Sequence, residues 1–405
     1  MGRIGSGGEI VTNGTEGFPL AGLKVLDFTR VLAGPFAGRM LSDLGADVVK
    51  VEPPDGDVTR IWGRIKGGVP GYYHQQNAGK RNICIDLRAQ GARELVLALV
   101  READILLENY RPDVMPRLGL GYDALRAINP RLIMLSISGF GAGGPESKRA
   151  AYAPVIHAEA GLINRAMRRG EIPARDLPLS VADTNASLHG LVAVLSAVIN
   201  RQHTGTGQHI DMAMIDATAV TDDQLHYDLE DSEDTGPLRN DYYQTGAGLI
   251  LVSGDFRAVY NGLVAHHGFA DPVKPGMDKD QRIAARRAAV TAFMATLLDT
   301  QAIDAVMDKM NFAWGIVRDP ATLQDQATIR HRHSIIQIDD REGGTRPIPQ
   351  SPYRFSSAKA GVRGPAPHRG EHNHAVLADW LGLGSDDVDQ LLEAGVLQKD
   401  RKTLG

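Results

Sequence analysis

The residues best suited to chemistry lie in Leu177-Pro178-Leu179-Ser180-Val181-Ala182-Asp183-Thr184-Asn185, a largely apolar approach that delivers one carboxylate, Asp183. Behind it, Leu188, Leu191, Val192, Leu195, Val198 and Ile199 recur at the spacing of a helix with one buried face. Asp183 therefore falls at or near a helix N-terminus, where unpaired amides and the helix dipole favour negative charge. A carboxylate held ionised there and shielded from bulk water is able to attack an activated carbonyl and become acylated. A structural role fits the same residue, because Asp is a preferred helix cap and Ser180-x-x-Asp183 reads as a variant of the capping box.

Other candidate groups follow strand-like segments. Asn77-Ala78-Gly79-Lys80-Arg81 and Asn109-Tyr110-Arg111-Pro112, with Arg117 downstream, carry basic residues that together suit a phosphorylated ligand such as an adenine nucleotide moiety; singly, each reads as a solvated charge. Cys84, the single cysteine, lies in the strand-like Asn82 to Leu87 and reads as an inert buried thiol. His266-His267, His331-Arg332-His333 and His372-Asn373-His374 lack the spacing of a metal site and read as surface histidines. No G-x-S-x-G elbow is present.

These groups need elements to position them. Leu23 to Phe28 reads as a strand, the turn Thr29 to Pro35 leads into a helix through Phe36, Met40 and Leu44, and Ala46 to Glu52 is a second strand stopped by Pro53-Pro54. Strand, helix, strand is the unit of a parallel sheet with right-handed crossovers. Glu52 stands where a ribose-binding acid would, but the turn offers Gly34-x-x-x-Gly38 instead of G-x-G-x-x-G, and Pro35 removes a backbone donor, which argues against a nicotinamide site. Strands over 83–87, 104–108, 132–138 and 208–214 continue the α/β pattern, with helices over 91–101 and 122–128.

The 405 residues divide into a loose tail (1–18), a large domain (19–221), an acidic linker (222–240), a small domain (241–330) and a Pro-punctuated return segment (331–405). A net charge of −5 without basic runs gives no support for a nucleic-acid partner, and no apolar run reaches the length of a membrane span. A cytoplasmic protein is expected.

The order of these pieces resembles the family III CoA-transferases, a family that also contains acyl-CoA racemases. The resemblance runs from Pro19-Leu20-Ala21-Gly22-Leu23 through Leu26-Asp27-Phe28-Thr29-Arg30-Val31-Leu32-Ala33-Gly34-Pro35 and Leu44-Gly45-Ala46-Asp47-Val48-Val49-Lys50-Val51-Glu52. It continues in Asn77 to Arg81, Glu108 to Pro112, Leu118-Gly119-Leu120-Gly121-Tyr122, Ser138-Gly139-Phe140-Gly141, Thr204-Gly205-Thr206-Gly207-Gln208 and Gly370-Glu371-His372. It implies that Asp183 is the nucleophile. CoA contacts are then expected at Arg30, Val31, Leu32, Ala33, Lys80, Asn109, Tyr110, Arg117 and Leu118, with Lys80 and Arg117 as phosphate partners, and Tyr152 and Met214 near the thioester.

The resemblance further implies a Rossmann-like parallel-sheet large domain built from both chain ends, a smaller inserted domain and an interlocked homodimer. The substrates would be an acyl-CoA and a carboxylic acid, with CoA as co-substrate and no permanently bound cofactor or metal. Racemisation is the alternative within the family. It needs a histidine near the position of Tyr152, whereas His157 is five residues later and is expected on another face. Leucine at position 32, where formyl-CoA transferase has a polar side chain, argues against formyl or oxalate chemistry. A CoA-binding protein without catalysis is the reading from another class.

Overall fold

The computed structural model describes residues 17–168, 174–230, 232 and 240–400. Nearly all of the expected tail, and residues 231 and 233–239 of the expected linker, lie outside these. The described residues up to Asp223 and from Arg332 onward form one compact unit, and Gln224–His331 forms a second.

In the first unit the chain runs through β1 (Lys24–Asp27), α1 (Ala33–Asp43), β2 (Asp47–Glu52), β3 (Arg81–Cys84), α2 (Ala92–Glu102), β4 (Ile105–Glu108) and β5 (Ile133–Ser138). It continues through α3 (Ala153–Glu159), α4 (Val181–Thr204), β6 (His209–Ala213) and α5 (Met214–Thr221). The six strands pair in parallel in the order β3-β2-β1-β4-β5-β6, the order of a Rossmann-like sheet. Parallel strands covered on both faces read as unbroken apolar runs, as Ile105-Leu106-Leu107 does.

Side chains alternate between the two layers. Leu26, Val49, Ile83 and Leu106 face Val96 and Leu99 of α2, together with Val376, Leu377 and Trp380 of the C-terminal helix Asn373–Leu381. Val25, Val48, Ile105, Leu107 and Leu135 face Met40 and Leu41 of α1 and Ala186, Leu191 and Val194 of α4. The thiol of Cys84 is buried, and burial pushes it up to about 12. His372 is not a surface histidine: it is half-buried, and its Nδ1 accepts the Asn82 N–H at 3.2 Å.

Helix α4 corrects one expectation. Its buried residues are Ala182, Ala186, Ser187, Gly190, Leu191, Val194, Ala197 and Arg201, while Leu188, Val192 and Ile199 are 45%, 62% and 58% exposed. Small residues let the helix approach the sheet closely; a Cβ on Gly190 would stand 2.9 Å from Leu135 Cδ2. Leu188, Val192 and Ile199 line another face. Among the described residues α4 is also the one helix long and apolar enough, by length and composition, to cross a membrane, which the search for an unbroken apolar run passed over.

The second unit is a three-stranded antiparallel sheet, with Gly248–Val252 between Trp314–Ile316 and Asp241–Thr245. Helices Phe256–His267, Lys279–Ala295 and Thr300–Met310 each start on an aspartate cap (Asp255, Asp278 and Asp299) that accepts a backbone N–H of the first turn. Ile250, Val259, Leu263, Val290, Met294, Ile303 and Met307 form its core.

Glycine at position 38 lets α1 lie over buried charges, because an added Cβ would meet Asp27 Oδ2 at 2.7 Å and Lys80 Nζ at 3.1 Å. The usual helix gain of Gly→Ala, about 1 kcal/mol, should be outweighed by this overpacking, about 1–3 kcal/mol. Gly38→Ala is expected to lower the denaturation midpoint; an unchanged or raised midpoint would refute the close packing.

Candidate active site

Helix α4 leads back to β6, so it runs against the strands, and its N-terminus opens at the edge where they end, the usual ligand edge of such sheets. Asp183 is in its first turn and is half-buried. The cap position belongs to Ser180, which makes no side-chain capping bond, and Asp183 is left to face outward from the turn. The backbone amides of Ala33 and Ala153 favour the ionised form of its carboxylate. Each is the first residue of its helix, α1 and α3, where an N–H has no partner within the helix. Burial pushes the Asp183 carboxyl up to about 6, and the two amides pull in the opposite direction without cancelling it.

The other N-terminal amide of α4 is taken by a histidine. His157 is fully buried in α3, its Nε2 accepts the Ala182 N–H at 3.1 Å, and its Nδ1 lies 2.7 Å from Asp176 Oδ1. An Nε2 that accepts leaves the ring proton on Nδ1, donated to Asp176. His157 therefore stands beside the Asp183 turn and not on another face, as its sequence position had suggested. Tyr72 also belongs to this neighbourhood: burial, then the charges of Asp183 and Asp57, push its phenol up to about 12, so it stays protonated. Its ring packs edge-on against Trp62 with centroids 5.2 Å apart.

The turn between β1 and α1 carries the Ala33 amide. Asn109, just past β4, clasps it from both sides: Oδ1 accepts the Arg30 N–H at 2.7 Å and Nδ2 donates to the Arg30 carbonyl at 2.8 Å. Beneath the turn lie two buried ion pairs, Lys80–Asp27 at 2.7 Å and Lys50–Asp57 at 3.3 Å. Lys50 also donates to the Thr29 carbonyl at 2.6 Å. Val31 has φ +67°, a left-handed conformation that is rare for a β-branched residue. Its N–H donates to Asp57 Oδ2 at 3.2 Å. The hydroxyl of Ser187 in α4 reaches both the Ala33 carbonyl and, at 2.8 Å, the Asp183 carbonyl, tying the two helix ends together.

Arg30, Val31, Leu32, Ala33, Asn109, Tyr110, Tyr152, Met214 and Asp183 all fall on segments that leave the C-terminal ends of strands or on helices that begin there. Two of the expected roles change. Lys80 is fully buried and its ammonium donates to Asp27 Oδ2, to the Pro35 carbonyl at 2.8 Å and to Asn77 Oδ1 at 2.9 Å. With three donors engaged it has none left for a phosphate; burial pulls it down to about 8 despite Asp27 beside it. The amide of Asn109 is likewise committed to the turn. Arg117 differs, with a side chain 66% exposed and only Asp113 beside it at 3.3 Å. Tyr110 and Leu118 pack partly against the first core, Tyr152 is exposed at the start of α3, and Met214 is buried at the start of α5. Glu52 is no ribose acid, because Arg60 binds it at 2.7 Å.

Sequence reading missed Tyr72, Asp57 and the place of His157. For Asp57 a signal existed: Asp57-Val58-Thr59 is a cap signature, and Asp57 does accept the Thr59 N–H at 3.0 Å. Nothing local marks Tyr72.

The sequence profile described as CoA-transferase family III matches residues 20–373. Succinate–glutarate CoA-transferase of Agrobacterium fabrum is 30% identical over 395 residues, covering 89% of this chain and 95% of that protein. Succinyl-CoA–D-citramalate CoA-transferase of Chloroflexus aurantiacus is 30% identical, covering 92% of this chain and 96% of that one. A solved CaiB/BaiF family protein from Brucella suis has a TM-score of 0.75 at 30% identity, covering 90% of this chain and all of the other.

The site predicts a distinctive titration. The Asp183 carboxyl should lose its proton near pH 6, well above an ordinary aspartate. Carbon NMR of labelled aspartate, assigned with Asp183→Asn, reads this directly; a midpoint near 4 would show that the carboxyl is not shielded.

Proposed function

Because this chain belongs to CoA-transferase family III, an enzyme family that moves CoA between acids, we propose that Asp183 is the nucleophile of the transfer. Its carboxylate attacks the thioester carbonyl of an acyl-CoA and, through a tetrahedral oxyanion, expels the CoA thiolate, leaving a mixed anhydride. The thiolate then attacks the aspartyl carbonyl, forming an aspartyl-CoA thioester and releasing the donor carboxylate. An acceptor carboxylate attacks that thioester and frees the thiolate again. The thiolate takes the acceptor acyl group from the second anhydride and leaves Asp183 as it began.

The observation that carries this reading is the half-buried carboxylate faced by two helix-starting amides. In the ground state Ala33 and Ala153 help to ionise Asp183; in the steps that attack the aspartyl carbonyl, the same two amides would serve the developing oxyanion. Partial burial keeps water from the anhydride. Tyr72 stays protonated in the field of the same carboxylate.

CoA is read as lying along the strand ends. Arg30, Val31, Leu32 and Ala33 form its turn, Tyr110 and Leu118 an apolar shelf, Arg117 an exposed guanidinium for phosphate, and Tyr152 and Met214 the thioester end. Lys80 and Asn109 act by shaping the turn. CoA enters and leaves as co-substrate. The exposed stripe Leu188, Val192 and Ile199 on α4 is an apolar face of the kind a second subunit covers, which supports the homodimer, interlocked by family resemblance. Acyl-CoA substrates fit a cytoplasmic location.

Racemisation finds less support. A proton carrier opposite Asp183 is needed, and His157 has both ring nitrogens engaged, by Ala182 and Asp176.

Asp183→Ala should reduce transfer on the order of 10³-fold or more. Acyl-CoA with hydroxylamine should convert Asp183 of the unaltered enzyme to a hydroxamate that peptide mass spectrometry locates. Transfer at the normal rate in the alanine variant would end this proposal. Uptake of deuterium at the α-carbon without trapping would favour the racemase, and neither signal a passive binder.

A further inference from the structure

We propose that Asp57 is a positioning residue for the transfer: it holds Val31 in its left-handed conformation, and through Val31 it aims the Ala33 amide at Asp183. This rests on the reading of Asp183 as nucleophile and adds to it a residue that the sequence marks only as a cap.

The two oxygens of Asp57 share the Val31 N–H, which is nearer Oδ2 at 3.2 Å than Oδ1 at 3.4 Å, and otherwise have different partners. Oδ1 accepts from the Thr59 N–H and hydroxyl, both at 3.0 Å, which is all that capping the short helix Val58–Ile61 requires. Oδ2 stands 3.2 Å from the Val31 N–H and 3.3 Å from Lys50 Nζ, with no exposure at either side chain of the ion pair. A cap alone would leave that oxygen to solvent. Here it is buried against an amide that sits two residues before Ala33.

Val31 explains why such a holder is needed. Of the non-glycine residues with positive φ among those described, Val31, Asn311, His333 and Arg341, it alone is β-branched, and its branched Cβ opposes that conformation most. Strain of this kind persists only where surrounding bonds over-determine it. Three do so here: Asn109 fixes Arg30, Lys50 fixes the Thr29 carbonyl, and Asp57 fixes Val31 itself. If Val31 relaxes to negative φ, the peptides that follow rotate, and the Ala33 N–H leaves the Asp183 carboxylate.

Asp57→Glu keeps the charge opposite Lys50 but carries the carboxylate one methylene further, and Asp57→Asn keeps the shape without the charge. Both are expected to lower kcat for CoA transfer about ten- to a hundredfold, a part of the loss usual for one oxyanion donor. The acid limb of the kcat/KM profile should move to higher pH, because the amide that lowers the Asp183 pKa is withdrawn. The titratable groups near Asp183 are His157 from α3 and Tyr72 from the helix Gly71–Asn77; Asp57→Glu keeps the charge that acts on Tyr72, and Asp57→Asn removes it. Simple removal of the negative charge in Asp57→Asn would move the limb the other way.

The decisive comparison repeats Asp57→Glu on a Val31→Gly background. Glycine adopts positive φ without strain, so the loss should shrink severalfold there, whereas a merely structural role for Asp57 predicts the same loss on both backgrounds. Equal losses, or no loss with Val31 present, overturn this inference. Should Asp57→Asn fail to fold, Asp57→Glu carries the test, with thermal midpoints recorded for every variant. Asp183→Ala runs alongside: normal transfer there refutes the nucleophile, while an inactive Asp183→Ala beside an unimpaired Asp57→Glu refutes this inference alone.

Discussion

Two ammonium–carboxylate pairs sealed under one turn, Lys80–Asp27 and Lys50–Asp57, are the constraint on which the site depends. Removing four charges from water is expensive, and such pairs often add no net stability over well-packed apolar residues. What they supply here is direction. Lys80 binds the Pro35 carbonyl in the first turn of α1, Lys50 binds the Thr29 carbonyl, and Asp27 accepts the Thr29 N–H at 2.9 Å. A turn without regular secondary structure is thereby fixed at both ends. Gly38 keeps the helix close enough for these contacts, and Asn109 reaches across from β4 to complete them.

The Asp183 carboxylate, the proposed nucleophile, is governed by the opposite balance. Among the described residues no lysine or arginine pairs with Asp183; peptide amides and the His157 imidazole are what act on it. A lysine in that place would ionise the carboxylate more fully but would bind it too tightly to attack well, since nucleophilicity falls with basicity. Amides at two helix starts ionise it at neutral pH while leaving it basic enough to react. The proposed transfer needs this compromise, because in it Asp183 serves as nucleophile in the first step and as leaving group in the last.

Much of the fold was legible in the chain because the sheet is written locally. Val48, Val49 and Val51 mark the strand Asp47–Glu52, which ends at Pro53-Pro54, and Ile133–Ser138 runs into a glycine-rich loop. Asp183 stood out as one carboxylate ahead of a helical pattern. The contacts that make the site were not legible, since they join residues far apart: Arg30 with Asn109, Val31 with Asp57, Lys80 with Asp27. A free-looking lysine beside Arg81 gave no hint that it was buried. The face of α4 was misread for a different reason. Hydrophobic size marks a face that water avoids, but close packing on a sheet selects alanine and glycine beside Leu191 and Val194, and Leu188, Val192 and Ile199 lie on the other side.

The division of the first unit's core between chain ends bears on how the protein comes into being on the ribosome. Val376, Leu377, Trp380, Val388 and Leu397 complete the layer over β1–β4, and the Trp380 indole donates to Asp47 Oδ2 at 2.8 Å across 333 residues of chain. At ordinary elongation rates, the nascent sheet waits on the order of ten seconds for these residues. During that interval one face of Leu26, Val49 and Leu106 lacks its C-terminal cover, whereas Gln224–His331 has a core drawn from its own span and is able to fold as it emerges. The nascent large unit is thus a natural client for chaperones until its last helices arrive.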